Sequence, residues 1–183
     1  MITPANRRTM TDTQEGYIGI DNHRIWFRID GSEKPGIPLL VIHGGPGLTH
    51  QYLTVLSALA RDRPVIWYDQ LGCGNSDTSP DLSQYTLEYY TRELAGVREE
   101  LNLKTVHILG HSWGTMLASE YYLTNDPTGL CSLILSSPVL SASRWKADQW
   151  QYLMAMPEEN RNIILTCEEE GRCDGPEFEE ALM

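Results

Sequence analysis

Hydrophobic residues along this chain fall into short apolar runs that alternate with segments of helical periodicity. Two runs with β character, 17–20 and 25–29, come first and are separated by the turn-prone pair Asp21-Asn22. Four nearly continuous apolar runs follow, at 37–42, 64–68, 105–109 and 130–135. Runs of this kind are typical of strands that are buried on both faces, as in a parallel sheet.

Between the apolar runs, hydrophobic residues recur every three or four positions, which is the spacing of one helix face. This spacing predicts helices over 50–60, from Leu87 to Leu101, and over 113–124, with Thr86 as the N-cap of the second. Strands that alternate with helices of this length predict βαβ units. We therefore expect an α/β fold with a mainly parallel sheet covered by helices.

The pattern changes after Pro138. Residues 143–165 have the pattern of a helix, and seven acidic residues lie between 168 and 180, a charge run typical of a solvated face. By its pattern the chain divides into a polar N-terminal tail at 1–15, an α/β core at 16–140 that contains six strands, and the start of a helical region at 141–183.

Composition narrows the possible function classes. Of the 183 residues, 41% are hydrophobic and 21% are charged, values that exclude a disordered chain and a disulfide-stapled mini-protein. Acidic residues outnumber basic ones by 25 to 14 without any basic cluster, so we expect no nucleic-acid partner. No apolar window approaches the length of a membrane-spanning helix, so we expect no membrane association. The oligomeric state is left open.

The cysteines match neither a CxxC nor a Cys/His zinc pattern. They are Cys73, Cys131, Cys167 and Cys173. We expect free thiols in a cytoplasmic protein, with a bridge between Cys167 and Cys173 as the alternative. We expect neither a metal nor a cofactor.

The first motif with chemical content is Gly110-His111-Ser112-Trp113-Gly114, between the run 105–109 and the helix 113–124. This is the G-x-S-x-G nucleophile elbow, a turn so tight that the residues flanking it must be small. Ser112 is the candidate nucleophile, and the N–H of Trp113 is a candidate donor to a developing oxyanion. The alternative is a turn with a purely structural role.

A second motif, His43-Gly44-Gly45-Pro46-Gly47, directly follows the run 37–42. Its glycines allow the backbone to approach a substrate closely, and Pro46 stiffens the loop. We predict that the N–H of Gly44 or Gly45 supplies the other half of an oxyanion hole. A plain tight turn is again the alternative.

The third motif, Asp69-Gln70-Leu71-Gly72-Cys73-Gly74-Asn75-Ser76, follows the run 64–68. Nothing in its chemistry alone demands catalysis. We interpret it as a loop that shapes the floor of the site, in which Asp69 is a structural hydrogen-bonding carboxylate rather than a catalytic one.

In this order, the three motifs resemble those of α/β-hydrolases of the proline iminopeptidase type, serine aminopeptidases that include tricorn-interacting aminopeptidase and L-amino-acid amidases. The family patterns HGGPG, DQ-x-G-x-G-x-S and G-x-S-W-G are matched within 43–47, 69–76 and 110–114. The resemblance covers residues 16 to about 140 and the start of the family's helical cap from 141. It implies an α/β-hydrolase fold and the release of an N-terminal residue, often proline, from short peptides or amides through an acyl-enzyme.

That chemistry requires a histidine base and an orienting carboxylate after the serine. The chain has five histidines, none of them after Ser112: His23, His43, His50, His107 and His111. We expect none of the five to be the base. The resemblance then implies that the triad partners and the last strands of the fold are missing from these 183 residues, that the chain alone is inactive, and that the run 130–135 is an exposed apolar edge that makes it poorly soluble or molten.

Two other interpretations stay open. One is an esterase or lactonase on the same fold. The other is a non-catalytic remnant that acts at most as an interaction module.

Overall fold

The computed structural model describes residues 12–183, so most of the predicted tail at 1–15 lies outside the described residues. The chain divides after Leu140 into two compact units, the second being Ser141–Met183.

The first unit is built on a six-stranded mixed sheet, and the expected α/β fold is confirmed. Its strands are β1 Thr13–Ile20, β2 His23–Asp30, β3 Leu39–Ile42, β4 Val65–Tyr68, β5 Val106–His111 and β6 Leu130–Ser136. Their order across the sheet is β1-β2-β4-β3-β5-β6. The pairs β1–β2 and β2–β4 are antiparallel, while β4–β3, β3–β5 and β5–β6 are parallel.

The predicted tail is wrong at its end, because residues 13–15 belong to β1. Thr13 pairs with Asp30 across the β1–β2 ladder, and its hydroxyl donates to the Asp30 carboxylate at 3.1 Å. Gln14 and Glu15 are exposed on this outer strand. Because their side chains face water, the hydrophobic pattern does not mark them as strand residues.

Helices connect the parallel strands as predicted. They are a 3-10 helix at His50–Arg61, α1 at Leu87–Glu100 and α2 at Trp113–Asn125, with a short 3-10 turn at Leu82–Gln84. Thr86 is the N-cap of α1, since its side chain accepts the N–H of Tyr89 at 3.2 Å. The hydrophobic spacing predicted a helix over 50–60 but did not distinguish 3-10 from α hydrogen bonding.

The core lies on both faces of the sheet. Every residue of β3 and β4 is buried. Leu40, Ile66 and Ile108 pack with the apolar faces of α1 and α2, whereas Val41 and Trp67 pack on the opposite face with Leu53. Burial on two faces explains why these strands read as continuous apolar runs. The same parallel arrangement brings the ends of β3, β4 and β5, where the three motifs begin, to one edge of the sheet.

β6 is the outermost strand on its side of the sheet as far as residues 12–183 extend. None of its residues is fully buried, and Ile134 is 43% exposed. This is the exposed apolar edge that the sequence predicts.

The second unit is helical, with α3 at Ala142–Ala155, α4 at Glu158–Glu169 and α5 at Pro176–Leu182. The predicted helical character of 143–165 is confirmed, but it is divided between two helices, because the chain breaks at Met156 and Pro157. Proline lacks the N–H of a helix interior and its ring clashes with the preceding turn, so a new helix starts after it. α3 has no buried residue.

Two further findings concern the described part of the chain. Its four cysteines are all free. None of its helices is long and apolar enough to cross a membrane.

Candidate active site

Ser112 occupies the sharp turn between β5 and α2. Its backbone has φ 53° and ψ −118°, a left-handed conformation that is strained for any residue with a side chain. Two backbone hydrogen bonds hold the turn: the N–H of Ser112 donates to the carbonyl of Ser136 at 3.0 Å, and Thr115 N–H donates to the carbonyl of Ser112 at 2.9 Å. This is the strained strand-to-helix geometry that defines a nucleophile elbow.

Close backbone approach explains the glycines of the elbow. A Cβ on Gly110 would collide with the carbonyl group of Gly114, and a Cβ on Gly114 would collide with the carbonyl oxygen of Ile42. Small residues are therefore required at both places, as the motif predicts. The Ser112 hydroxyl itself forms no hydrogen bond with any of residues 12–183.

The loop at 43–47 lies directly against this elbow. A Cβ on Gly44 would lie 3.1 Å from Cβ of Ser112 and 3.1 Å from the carbonyl oxygen of His111. Gly45 has φ +120° and is followed by Pro46 through a cis peptide bond, and Gly47 has φ +103°. The second motif thus comes within contact distance of the predicted nucleophile.

Some backbone N–H groups near Ser112 have a hydrogen-bond acceptor within the protein, and others do not. The N–H of Gly44 donates to the hydroxyl of Tyr52 at 2.7 Å. Within residues 12–183, the N–H groups of Gly45 and Trp113 donate to no protein acceptor. Of the two glycines predicted to bind an oxyanion, Gly44 is therefore engaged elsewhere, and the open pair is Gly45 and Trp113.

Hydrogen bonds of His43 and Gln70 connect the three loops. The Nε2 atom of His43 accepts the backbone N–H of Gln70 at 3.0 Å, so Nδ1 carries the proton and donates to the Gly44 carbonyl at 2.9 Å. The Gln70 side chain donates to the His43 carbonyl at 3.1 Å and accepts the indole N–H of Trp113 at 3.1 Å. Burial lowers the pKa of His43, which keeps its ring neutral. With both nitrogens occupied, His43 positions the loop and is not placed to act as a base.

Asp69 is fully buried and forms a pair with His50. Its Oδ1 accepts the Nδ1–H of His50 at 2.8 Å and the backbone N–H of His50 at 3.0 Å, while Oδ2 accepts the N–H of Asn75 at 3.0 Å. Burial raises the pKa of Asp69, but these hydrogen bonds outweigh it, so the net shift is downward. The carboxylate thus joins two loops, which is a structural arrangement.

The His50–Asp69 pair has the composition of a catalytic base with its orienting carboxylate, and sequence reasoning missed it. The imidazole of His50 stacks on Trp26 with ring centroids 4.3 Å apart and is 7% exposed. It forms no hydrogen bond with Ser112. His50 begins the 3-10 helix and Asp69 directly follows β4, 19 positions further along the chain, so no local pattern reveals their pairing.

The remaining histidines have other partners. His23 contacts Gln84 at 2.9 Å, His107 contacts Ser132 at 2.8 Å, and His111 contacts Tyr52 at 2.9 Å. None of the five forms a hydrogen bond with the Ser112 hydroxyl. Within residues 12–183, no group of three or more His, Cys, Asp and Glu side chains is arranged to hold a metal ion.

Comparison with known proteins agrees with the α/β fold. The chain matches the family described as alpha/beta hydrolase fold over residues 37–182. The proline iminopeptidase of Heyndrickxia coagulans is 48% identical over 168 residues, which are 92% of this chain and 58% of that protein. The proline iminopeptidase of Lactobacillus delbrueckii subsp. lactis is 40% identical over 171 residues, covering 91% of this chain and 58% of the relative.

A solved structure shows the same likeness. The crystal structure of a proline iminopeptidase from Mycobacterium smegmatis superposes with a TM-score of 0.79 at 34% identity, over 92% of this chain and 58% of that one. The chain thus spans about 58% of the length of these relatives.

Proposed function

The chain belongs to the α/β-hydrolase fold family, and from this premise we propose that the whole protein is a serine aminopeptidase that releases N-terminal residues, with proline favoured, from short peptides or amino-acid amides. The observation that carries the proposal is Ser112 in its strained turn, with a free hydroxyl and with the loop at 43–47 against it. The N–H groups of Gly45 in that loop and of Trp113 in the turn are unoccupied within residues 12–183. The similarity to proline iminopeptidases supports the choice of substrate class.

In the proposed mechanism, Ser112 Oγ attacks the carbonyl carbon of the substrate's first residue. The carbonyl electron pair moves onto oxygen, and that oxyanion accepts hydrogen bonds from Gly45 and Trp113. When the tetrahedral intermediate collapses, the C–N bond breaks and the amine leaves with the proton that a general base took from Ser112. An acyl-enzyme remains, which water then hydrolyses. Each of the five histidines forms a hydrogen bond with a residue other than Ser112. We therefore assign the base and its carboxylate to parts of the whole protein that these 183 residues do not include.

The second unit has a place in this proposal. We assign its helices to the beginning of the helical cap that the family resemblance implies, whose carboxylates would bind the free amine of the substrate. The acidic residues between 168 and 180 include Glu168, Glu169 and Glu170, although none of the three matches a particular amine-binding residue of the family. The four free cysteines favour the cytoplasm as the location, which cell fractionation would test.

The test compares prolyl p-nitroanilide, its N-acetylated form and p-nitrophenyl acetate as substrates of the whole protein. We expect hydrolysis of the free-amine substrate and little of the acetylated one. Ser112→Ala should lower kcat by about 10⁴-fold or more, whereas Ser119→Ala on α2 should leave it unchanged. The 183-residue chain by itself should release no p-nitroaniline, since it lacks a base next to Ser112.

Three results would contradict the proposal. Retained activity in Ser112→Ala would show that Ser112 is not the nucleophile. Equal rates on the free and acetylated amides, or hydrolysis of the ester alone, would favour the esterase or lactonase interpretation. A whole protein that cleaves none of the three substrates would favour a non-catalytic role.

A further inference from the structure

The hydroxyl of Tyr52 joins the two loops that form the candidate site. Tyr52 lies in the first turn of the 3-10 helix His50–Arg61. Its oxygen is 2.7 Å from the backbone nitrogen of Gly44 and 2.9 Å from Nδ1 of His111. The phenol ring also packs edge-on against the imidazole of His111, with centroids 5.3 Å apart. One side chain therefore contacts both the loop at 43–47 and the residue that precedes Ser112.

One of these two hydrogen bonds has a fixed direction: the N–H of Gly44 can only donate, so the Tyr52 oxygen accepts there. For the other we assign the phenolic proton as the donor to Nδ1 of His111, which corresponds to the tautomer of His111 with its proton on Nε2. Burial raises the pKa of Tyr52, only partly opposed by the Gly44 N–H, so the phenol keeps the proton that it donates.

The peptide bond between Gly44 and Gly45 fixes the direction in which the N–H of Gly45 points. The carbonyl of Gly44 accepts the Nδ1–H of His43 at 2.9 Å. In a trans peptide the N–H points opposite to the C=O of the same plane, so the N–H of Gly45 points away from His43. Gly44 is thus anchored on both sides, by Tyr52 at its N–H and by His43 at its carbonyl.

We infer that Tyr52 is a positioning residue for the proposed reaction: its hydroxyl, supported by His111, removes the Gly44 N–H from the oxyanion hole and holds the Gly45 N–H in place to bind the oxyanion. This inference rests on the proposed function. Tyr52 acts through the loop and need not touch the substrate. It also gives a role to His111, which occupies the variable position of the elbow motif.

Kinetics of the whole protein on prolyl p-nitroanilide provide the first test. Tyr52→Phe keeps the ring and removes the hydroxyl, and kcat should fall about tenfold, the effect of one lost hydrogen bond in the transition state. KM should change less than about twofold, because the oxyanion exists only in the transition state. The matched control is Tyr122→Phe, since Tyr122 is 50% exposed on α2 and its hydroxyl forms no hydrogen bond within residues 12–183.

Variants of His111 test the pair. His111→Leu removes the acceptor of the phenolic proton and should lower kcat about threefold, and His111→Gln, which restores an acceptor oxygen, should recover most of that loss. The double variant of Tyr52→Phe and His111→Leu should be no slower than Tyr52→Phe alone, because both changes remove the same connection. Additive losses would overturn the coupling. If Tyr52→Phe fails to fold, the two His111 variants carry the test.

A second readout does not require turnover. Hydrogen exchange of the Gly44 amide, followed by NMR, should be at least about tenfold faster in Tyr52→Phe than in the wild type or Tyr122→Phe. If the wild type cleaves nothing, the proposed function fails while the exchange rate still tests the contact. If the wild type is active and Tyr52→Phe keeps its kcat, or changes KM alone, the positioning role is wrong. Unchanged exchange at Gly44 would also overturn it.

Discussion

The loops that follow β4 and β5 differ in how their polar groups are used. In the loop at 69–76, the carboxylate of Asp69 accepts three hydrogen bonds, and the hydroxyl of Ser76 donates to the Asp69 carbonyl and accepts the N–H of Trp26. In the elbow after β5, the Ser112 hydroxyl and the N–H of Trp113 have no partner within residues 12–183.

The comparison separates a structural loop from a candidate catalytic one. Buried polar groups are normally satisfied, and satisfied groups stabilise the fold. Open donors beside a strained backbone do not stabilise the folded chain, so their arrangement is explained by what they bind. Variants of the two loops should therefore change stability in opposite directions.

The largest expected effect is loss of the Asp69 carboxylate. Asp69→Ala leaves His50 and two backbone N–H groups without their acceptor in a buried place, which should lower the free energy of unfolding by about 3–5 kcal/mol. Urea unfolding of the whole protein measures it. Asp81→Ala is the control, since exposed Asp81 caps the turn at Leu82–Gln84 and its loss should cost only about 1 kcal/mol. Equal effects of the two variants would contradict the structural role of Asp69.

The second effect is a pH dependence of stability that arises from Glu93 on α1. Its Oε2 accepts the N–H of Leu71, in the loop at 69–76, at 3.0 Å. Burial raises the pKa of Glu93 to about 8, only partly opposed by the Leu71 N–H. In the unfolded chain a glutamate has a pKa of about 4.3. Between these values the unfolded chain binds fewer protons than the folded one, so stability falls as the pH rises.

Glu93→Gln removes the ionisable carboxyl group and should therefore reduce the dependence of the unfolding free energy on pH. Between pH 5.5 and 7.5 the wild type should lose about 3 kcal/mol of unfolding free energy relative to the variant, at about 1.4 kcal/mol per pH unit. Unfolding curves at several pH values measure the difference. Glu88→Gln serves as the control because the Glu88 side chain is 86% exposed. Parallel curves for the wild type and Glu93→Gln would show that Glu93 ionises normally in the folded protein.

The smallest effect has the opposite sign. Ser112→Gly removes the side chain from a backbone conformation with φ 53° and should raise the free energy of unfolding by about 1–2 kcal/mol while it abolishes hydrolysis. Ser112→Ala keeps a Cβ and should not be stabilised. A Ser112→Gly variant less stable than Ser112→Ala would mean that the turn is not strained.

Much of the fold could be predicted from the sequence because its signals are local. β3 and β4 are buried on both faces and so appear as unbroken apolar runs. The Thr86 cap and the small residue at Gly110 depend on neighbours within a few positions. The prediction fails where the hydrophobic signal is weak: the exposed Gln14 and Glu15 belong to β1 and not to the predicted tail.

The candidate site shows the same division. Sequence alone predicted Ser112 as the candidate nucleophile, the glycine loop at 43–47 as part of the candidate site and a structural role for Asp69. Only the tertiary structure decided which N–H groups are free, because the occupant of the Gly44 N–H is Tyr52, whose other partner is His111, 59 positions further along the chain. The Asp69–His50 pair and the burial of Glu93 beneath Leu71 likewise depend on strand order. Local patterns specify which residues form strands and turns, whereas hydrogen-bond partners across loops are set by how the sheet brings distant strand ends together.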